Sequence, residues 1–460
     1  MKPGLTVEEI ASVTGGRRIS GDPGAIIELF GTDSRKMEPG TLFIPLKGDR
    51  FDGHLFIAQA ESAGAAGALM EKGSSAMPAG ICVEVSDTLR ALQDLAAHVR
   101  KRFSGPVIAV TGSNGKTTTR EMIAAVLARK FRILKTEGNL NNHIGLPLML
   151  LKLVPGVQAV VLEMGINHPG ELTRLCEIAR PGIGVITNIG ESHLEGLGSL
   201  EGVARAKGEL LDFLANGTAV LNHDSPHFDL LAERQKGKRV SFGFSVKADV
   251  RGEKFQETEG GIRMEVRRGS LRFPVSAPVP GIHNGSNALA AAAVGLELGI
   301  PPEEITAALA AFTPVPNRTE IVVLGSGLKI LADFYNANPS SMEAALKTLS
   351  ALGKHEGRET AAVLGGMLEL GAASPALHRR LGQIAAREKI NRLFLYGPEA
   401  KTVLEGAAEA GFPVSSAAVC GSHREIADAV KSLEARKTMV LIKGSRGMKM
   451  EQVLDLLKKE

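Results

Sequence analysis

The feature that most constrains this chain is the stretch VIAVTGSNGKTTT at positions 107–119. Residues 107–110 form an apolar run typical of a buried parallel strand. Gly112 and Gly115 follow, and residues 117–130 then carry apolar side chains at the spacing of one helix face. A strand, a glycine turn and a helix start in this order are typical of a phosphate-binding loop, where backbone N–H groups converge on an anion. The stretch therefore predicts a nucleoside triphosphate site, and we expect the nucleotide to be ATP.

Lys116 and Thr117 are the side chains of this loop with direct roles in phosphate chemistry. A lysine at this place reaches the β- and γ-phosphates, and a hydroxyl at the next place ligates Mg²⁺. The general pattern has glycine at position 110, where this chain has Val110. An ordinary strand–helix turn that happens to contain Gly-Lys-Thr stays an alternative, although the flanking strand and helix favour the phosphate site.

The composition is that of an ordinary globular protein. The 460 residues suggest roughly two to four domains, and the net charge of +4 is too small to argue for a nucleic-acid partner. Cys82, Cys176 and Cys420 form no CxxC pair, which fits a reducing cytoplasm. Because no apolar leader begins the sequence and no stretch is apolar enough to span a bilayer, we expect a cytoplasmic protein that is not membrane-embedded.

Patterns of strands and helices predict three domains, at 1–102, 103–315 and 316–460. The fold class is α/β: a small α/β N-terminal domain, a central domain with a parallel sheet, and a doubly wound, Rossmann-like C-terminal domain. The last domain has no Gly-x-Gly-x-x-Gly, so it is not expected to bind NAD. The segment 312–317 contains two prolines and is typical of a hinge or linker.

Two basic side chains suggest a second phosphate site in the first domain. Arg35 follows Ser34 at the end of one expected strand, and a second strand is expected to end at Lys47 and Gly48. Arginine offers paired hydrogen bonds to phosphate, and lysine offers a point charge. A solvated hairpin with surface basic residues explains the pattern equally well, so both interpretations stay open.

Polar side chains follow two apolar strands of the central domain. Glu163 follows a strand expected at 159–162, and His193 comes shortly after one expected at 184–187. Because the carboxyl ends of parallel strands share one edge of the sheet, both side chains are placed to meet the Mg²⁺ of a bound triphosphate. The Asn- and Gly-rich loop at 136–147 either lines the same site or is a surface loop.

Two helices of the central domain carry side chains whose role stays open. Lys207 is either a solvated lysine paired with a neighbouring Glu, which the residues alone favour, or a lysine carbamylated by CO₂, whose negative charge could approach a metal. Asn284 and Asn287 lie near the start of an alanine-rich helix. Their amides either read the edge of adenine or cap the helix.

The chain resembles the ATP-dependent Mur ligases of bacterial peptidoglycan synthesis, through motifs in all three domains. The first domain has DSR at 33–35 and a segment at 43–48, and the last has DFYNANP at 333–339 and MLELG at 367–371. The central domain carries the remaining motifs, at 111–118, 138–142, 144–147, 163–167, 170–171, 188–193 and 206–209. Within the family, the segments in the last domain favour the branch that adds D-alanyl-D-alanine.

The resemblance implies a role for individual residues. The ATP phosphates would be held by Thr111, Gly112, Ser113, Asn114, Gly115, Lys116, Thr117 and Thr118, with Asn287 at the adenine and Asp333 at the ribose or its surroundings. The metal ligands would be Thr117, Glu163, His193 and a carbamylated Lys207. The catalytic residues would be Lys116, Lys207, His193 and Arg318, the last approaching the γ-phosphate. The substrate would contact Ser34, Arg35, Lys47 and Gly48 at its uridine diphosphate end, and also Asn336 and Asn338.

The implied reaction joins D-alanyl-D-alanine to UDP-N-acetylmuramoyl-tripeptide through an acyl phosphate, with ATP and Mg²⁺, and we expect a monomer. One alternative is another Mur-type ligase with a different amino acid acceptor. An ATP-binding scaffold without catalysis is the alternative from another class, but a scaffold does not need metal ligands beside its phosphate loop. Two positions depart from the family: Gly366 stands where Asp is usual, and Asn317 stands where the hinge usually has Gly.

Overall fold

The computed structural model describes residues 4–48, 51–434 and 437–459, which fall into two compact units. The first unit comprises Met1–Ala109, Lys130–Ile166 and Gly170–Gly184. The second comprises Val110–Arg129, Asn167–Pro169 and Val185–Glu460. Residues 1–3, which begin the segment expected to lack a leader, lie outside the described residues. None of the described helices has both the length and the apolar character needed to cross a lipid bilayer.

The first unit begins with a small α/β layer. Its strands are β1 (Leu5–Thr6), β2 (Arg17–Ser20), β3 (Ile26–Ile27), β4 (Leu29–Gly31), β5 (Thr41–Phe43), β6 (Lys47–Gly48), β7 (Phe51–Asp52), β8 (Gly67–Glu71) and β9 (Ile81–Val85). Its helices are α1 (Val7–Thr14), α2 (Ile57–Ser62) and α3 (Thr88–Lys101). Five strands form a sheet in the order β2-β9-β8-β5-β4, and only β2 runs antiparallel to its neighbour.

Two expected strand ends in this layer were wrong. β4 stops at Gly31, so Ser34 and Arg35 lie in the loop beyond it. β5 stops at Phe43 instead of running on to Gly48. Pro45 follows closely, and a proline has no N–H to donate to a neighbouring strand. Lys47 and Gly48 lie instead in β6, which pairs with β7.

The middle of the chain contributes to both units. Its strands are β10 (Val107–Thr111), β11 (Ile133–Lys135), β12 (Ala159–Glu163), β13 (Ile183–Ile186), β14 (Thr218–Asn222), β15 (Lys238–Gly243), β16 (Val250–Thr258), β17 (Gly261–Arg268) and β18 (Leu271–Ala277). Its helices are α4 (Lys116–Leu127), α5 (Gly145–Leu150), α6 (Glu171–Ala179), α7 (Leu194–Leu197), α8 (Leu200–Asp212), α9 (Phe228–Arg234), α10 (Ile282–Glu297) and α11 (Pro302–Ala310). In the first unit β11 and β12 pair in parallel. In the second unit β14, β15 and β16 are parallel, and β16, β17 and β18 form an antiparallel meander.

The last part of the chain, within the second unit, is a six-stranded sheet with helices on both faces. Its strands are β19 (Glu320–Val323), β20 (Lys329–Ala332), β21 (Glu359–Gly365), β22 (Arg392–Tyr396), β23 (Ala417–Cys420) and β24 (Thr438–Lys443). Its helices are α12 (Pro339–Glu356), α13 (Ser374–Arg387), α14 (Ala400–Glu409), α15 (His423–Lys431) and α16 (Glu451–Lys458). The order is β19-β20-β24-β21-β22-β23, and only β19 is antiparallel.

Alternation along β24 places the core of this sheet on both of its faces. Leu441 packs in a cluster with α12 and α13, whereas Val440 packs on the other side with α15 and α16. Successive strand residues point to opposite faces, so an apolar run buried on both sides is expected of a doubly wound sheet. The α/β fold class predicted from the sequence is confirmed.

Candidate active site

The turn between β10 and α4 has a backbone that requires glycine at two places. Gly112 has a φ of 145°, and a Cβ atom there would lie 1.9 Å from Thr187 Oγ1. Gly115 has a φ of 77°, in the left-handed region that favours glycine. Gly115 is also the N-cap of α4, so no side chain caps this helix. A helix start without a capping side chain is suited to an anion.

Hydrogen bonds to the residues after β13 fix the shape of this turn. The Ser113 N–H donates to the Asn188 carbonyl (3.0 Å), and the Asn114 N–H donates to Asn188 Oδ1 (3.0 Å). The Thr187 hydroxyl donates to the Asn114 carbonyl (2.6 Å). The geometry of the loop therefore depends on the neighbouring strand end as well as on its own glycines.

Three basic side chains lie near this loop: Lys116, His193 and Lys207. Lys116 Nζ folds back and donates to the Gly112 carbonyl (2.8 Å), which keeps the ammonium over the loop. Burial lowers the pKa of His193, and the charge of Lys116 lowers it further. The same two causes, in the same order, lower the pKa of Lys207 well below its usual range. Burial and like charge both disfavour the cationic forms, so this region is suited to receive negative charge.

Lys207 is the most unusual of the three. It lies in α8 with 1% of its surface exposed, and it forms no hydrogen bond or ion pair with any residue that the structure describes. The interpretation as a solvated lysine paired with a neighbouring Glu is therefore wrong. Burial and the charge of Lys116 both favour the neutral amine of Lys207, which is the form that adds CO₂ to give a carbamate.

Asn287 lies beside the phosphate loop and is hydrogen-bonded to the first turn of α4. Its Oδ1 accepts from the Thr119 hydroxyl (3.1 Å), and its Nδ2 donates to Asn284 Oδ1 (3.0 Å). A Cβ atom at Gly115 would lie 2.4 Å from Asn287 Oδ1. The N-cap of α10 is Gly281 and no side chain caps this helix, so the capping alternative for the two asparagines is wrong.

The segment that begins α12 brings one amide and one hydroxyl to the loop. Asn338 Nδ2 donates to Asn114 Oδ1 (2.8 Å), and Asn114 Nδ2 donates to the Ser340 hydroxyl (2.7 Å). Asn338 is also the N-cap of α12, in a capping box with Ser341. The first turn of α12 therefore lies against the phosphate loop.

Three other predicted residues lie on the segments that flank β20. Arg318 precedes β19, and its guanidinium carbon lies 4.0 Å from the centre of the Tyr335 ring, as in a cation–π contact. Asp333 directly follows β20, and its Oδ2 accepts from Lys443 Nζ (2.6 Å). Lys443 also donates to the carbonyl of Asn336 (3.2 Å).

Glu163, the remaining predicted metal ligand, lies in the first unit as the last residue of β12. Its N–H donates to the Thr136 hydroxyl (2.9 Å), and its Oε1 accepts from Asn141 Nδ2 (2.8 Å). Both partners belong to the Asn- and Gly-rich loop at 136–147. This loop therefore holds both the backbone and the side chain of the predicted ligand.

The basic residues predicted to bind substrate in the first unit each have an acidic partner. Arg35 pairs with Asp33 through Nε to Oδ1 (2.8 Å) and Nη2 to Oδ2 (2.9 Å), and this raises the pKa of Arg35. Lys47 pairs with Glu71, which raises the pKa of Lys47. The Ser34 hydroxyl donates to Gln59 Oε1 (3.1 Å). Whether these residues bind a phosphate group or form only a polar surface stays a prediction.

Three protein-family models match the chain, and together they cover most of it. The Mur ligase middle domain matches residues 110–295, the Mur ligase glutamate ligase domain matches 317–446, and the Mur ligase family catalytic domain matches 26–100. The chain is 39% identical to UDP-N-acetylmuramoyl-tripeptide–D-alanyl-D-alanine ligase of Bacillus subtilis, over 93% of each chain. The chain belongs to the Mur ligase family.

Other Mur ligases match over similar lengths. The UDP-N-acetylmuramoyl-tripeptide–D-alanyl-D-alanine ligase of Escherichia coli is 35% identical over 98% of both chains. A crystal structure of MurF from Acinetobacter baumannii matches 100% of both chains, with 31% identity and a TM-score of 0.92. MurF of Thermotoga maritima, solved in complex with ADP, covers 94% of this chain and 97% of its own, with 29% identity and a TM-score of 0.82.

Sequence reasoning missed two residues beside the loop of this Mur ligase. Glu369 Oε2 lies 2.8 Å from His193 Nδ1, and Ser340 accepts from Asn114. Glu369 is the acidic residue of MLELG, one of the motifs through which the chain resembles the family. An acid inside an otherwise apolar loop was the available signal. Ser340 had none, because a serine in the first turn of a helix is common.

Proposed function

We propose that this Mur ligase joins D-alanyl-D-alanine to UDP-N-acetylmuramoyl-tripeptide with ATP as the energy source, in the synthesis of peptidoglycan precursors. The observation that carries this conclusion is the likeness to ligases of that name over 93–98% of the chain. The ADP complex of the Thermotoga maritima relative supports ATP as the nucleotide. The phosphate loop of this chain and its cluster of basic groups supply the local chemistry that such a reaction needs.

The reaction forms one amide bond in two steps. The terminal carboxylate of the tripeptide attacks the γ-phosphorus of ATP, which gives an acyl phosphate and releases ADP. The amine of D-alanyl-D-alanine then attacks the acyl carbon, and inorganic phosphate leaves with the bonding electron pair. Because the first step brings two anions together, the protein must neutralise charge and hold both groups in line. Positioning alone can lower the barrier by about 7–11 kcal/mol.

The proposed roles follow the geometry of the second unit. Residues 111–118 hold the phosphates, with Lys116 on the β- and γ-phosphates. Asn287 contacts the adenine, which its attachment to the loop supports. Arg318 approaches the γ-phosphate, and Asp333 contacts the ribose or its surroundings; both lie on segments beside β20.

Mg²⁺ would be held by Thr117, Glu163, His193 and a carbamate on Lys207, and when bound it would neutralise charge on the phosphate oxygens. The donor chemistry fits this ion in part: within the described ranges, no group of three or more His, Cys, Asp or Glu side chains could hold a metal alone. A carbamate on the unpaired, buried Lys207 supplies a further oxygen donor, and the ATP phosphates supply others. Carbamylation therefore explains why a lysine without a partner lies here.

The remaining assignments concern the whole chain. Ser34, Arg35, Lys47 and Gly48 would hold the uridine diphosphate, and Asn336 and Asn338 would also contact the substrates. The domains would be 1–102, 103–315 and 316–460, which agrees with the spacing of the three family matches. A cytoplasmic monomer fits three free, buried cysteines.

The decisive experiment measures phosphate release from ATP and Mg²⁺ with UDP-N-acetylmuramoyl-tripeptide, with and without D-alanyl-D-alanine. We expect release only when both substrates are present, and mass spectrometry should detect the pentapeptide nucleotide. Release with a different amino acid in place of the dipeptide would indicate another Mur-type acceptor. No release with any acceptor, from protein that binds ATP, would favour the scaffold and overturn the proposal.

A further inference from the structure

The pair formed by His193 and Glu369 joins two different sheets of the second unit. His193 follows β13 and precedes α7, whereas Glu369 lies in the loop between β21 and α13. Nδ1 of the imidazole lies 2.8 Å from Oε2 of the carboxylate. A carboxylate accepts hydrogen bonds, so Nδ1 carries the proton and donates it. The other ring nitrogen, Nε2, is then the one with a lone pair available to a cation.

Both members of this pair have unusual backbone conformations. His193 has a φ of 51° and Glu369 has a φ of 61°, in the left-handed region that costs a residue other than glycine about 1 kcal/mol or more. Such conformations persist where the surroundings fix them, and they cluster at functional sites. Here the two strained residues face each other across the contact between the sheets.

Neighbouring contacts hold the strained segments together. On the side of His193, Leu194 packs against the core of the C-terminal sheet, the Glu195 N–H donates to the Glu369 carbonyl (3.4 Å), and Glu191 pairs with Arg380. These contacts involve residues before and after the histidine. The segment that bears His193 is therefore seated on the C-terminal sheet by more than one side chain.

The loop that bears Glu369 is anchored from its own side. The Met367 N–H donates to His378 Nε2 (2.9 Å), and His378 Nδ1 donates to the Ser374 carbonyl (2.8 Å). The Leu368 N–H donates to the Ser445 hydroxyl (2.9 Å). The Glu369 side chain itself is 60% exposed, so the fold does not need it as a packing element.

We propose that Glu369 is a positioning residue that holds His193 in the Nδ1–H tautomer and so presents Nε2 to the divalent cation. The inference rests on the proposed function, in which His193 is a metal ligand. A carboxylate behind a ligating histidine fixes the tautomer and the ring orientation, and its loss typically lowers metal affinity by about 10–100-fold. Because Glu369 comes from the C-terminal sheet, the metal ligand is oriented only while this sheet is docked on the central one.

The test uses the full chain and two readouts, neither of which is turnover. The first is the tautomer of His193 in metal-free protein, from ¹⁵N NMR of histidine-labelled chain, with the signal assigned by its loss in His193→Gln. The second is the affinity for Mn²⁺ in the presence of ADP, from electron paramagnetic resonance. The variants are Glu369→Ala, Glu369→Gln, whose amide oxygen can still accept from Nδ1, and the control Glu195→Gln. Glu195 is exposed and lies two residues from His193, so this control removes the same charge nearby.

We expect Glu369→Ala to lose the pure Nδ1–H tautomer and to bind Mn²⁺ about 10–100-fold more weakly. Glu369→Gln should fall between this variant and the unaltered chain, and Glu195→Gln should match the unaltered chain. An unchanged tautomer and unchanged Mn²⁺ affinity in Glu369→Ala would overturn the inference and leave the proposed function standing. An equal loss of Mn²⁺ affinity in Glu195→Gln would also overturn the inference, because the loss would then come from removing a nearby negative charge and not from the contact with His193. If the unaltered chain bound ADP but no Mn²⁺, the proposed metal site and the inference would both fail.

Discussion

Basic side chains in the two units are prepared for anions in opposite ways. In the first unit, the hydrogen bonds that Arg35 and Lys47 donate to Asp33 and Glu71 raise the pKa values of the two cations. In the second unit, burial lowers the pKa values of His193 and Lys207, and the charge of Lys116 adds to the effect. The first unit thus supplies both cations with a carboxylate. In the second unit His193 contacts the exposed Glu369, and Lys207 has no acidic partner among the described residues.

The difference shows two ways in which a protein can bind a phosphate group: with cations that already hold a carboxylate, or with a basic group that holds none. A cation that already holds a carboxylate must exchange partners when a phosphate arrives, so the net gain is small and the exchange is reversible. A buried base such as Lys207, which has no acidic partner among the described residues, gains much more from an anion, because a low-dielectric site strengthens the attraction. The first arrangement suits substrate exchange, and the second suits charge neutralisation during a reaction.

The largest effect is expected for Lys116→Ala, which removes a cation from the phosphate loop of the second unit. Removing a charged donor from a preorganised anion site lowers kcat by about a thousandfold, and we expect that loss here. Phosphate release that depends on D-alanyl-D-alanine measures it. Lys236→Ala, at an exposed lysine of the same unit, is the matched control and should keep full activity. A Lys116→Ala enzyme with more than a tenth of normal kcat would remove this lysine from the mechanism.

His283, a half-buried base of the second unit, extends the comparison to stability. Burial lowers its pKa from 6.5 to about 4, and its Nδ1 has no hydrogen-bond partner among the described residues. The unfolded chain takes up this proton first, so the stabilisation is complete above pH 6.5 and is lost as the pH falls towards 4. Over that window the loss amounts to about 3 kcal/mol. Urea unfolding at pH 7.5 and pH 4 should show this extra loss in the unaltered chain relative to His283→Gln; parallel pH profiles would contradict it.

Lys207→Ala tests whether a carbamate on Lys207 supplies negative charge near the phosphate loop. We expect kcat to fall by about a hundredfold, because an anionic ligand is lost near the phosphates. Acetate or formate should restore part of the rate in Lys207→Ala, since the vacated space can take a small carboxylate. Lys207→Arg fills that space with a permanent cation and should not respond. If both variants stay inactive at every carboxylate concentration, carbamylation is not the role of this lysine.

The smallest effect is expected where the cation already has a partner. Arg35→Ala should raise the KM for the UDP-linked substrate by roughly tenfold and leave kcat nearly unchanged, as for an exposed charged contact. Asp33→Asn is the sharper variant, because it frees Arg35 from its carboxylate and should lower the KM. Steady-state kinetics at varied nucleotide substrate measures both. A KM that rises in Asp33→Asn as much as in Arg35→Ala would show that the pair acts as a unit.

The parts of the site that could be predicted are those formed by residues close together in the sequence. The phosphate loop depends on residues close together, where the strand pattern, Gly112 and Gly115 and the start of α4 support one another. The positions of Glu163 at the end of β12 and of His193 after β13 were also predictable, because apolar strands end where polar residues begin; their role as metal ligands stays a prediction. Each of these features needs only local propensity and periodicity.

The parts that were missed depend on distant contacts. Glu369 and His193 are 176 residues apart, and no spacing rule links them. The burial of Lys207 was misjudged because helical periodicity gives a direction and does not give the depth of what covers that face. β19 was not foreseen, since a short antiparallel strand beside a parallel sheet depends on its pairing with β20.

The contact between Gly115 and Asn287 has a consequence for inhibitors of this site. Substitution at position 115 is costly for two independent reasons: its backbone has a left-handed φ, and a Cβ atom would lie 2.4 Å from Asn287 Oδ1, so that the Asn287 side chain would have to move. A substitution that relieved one constraint would still violate the other. A compound that lodged against Gly115 would therefore contact a position where every substitution carries a structural cost, and resistance would arise more readily elsewhere in the chain.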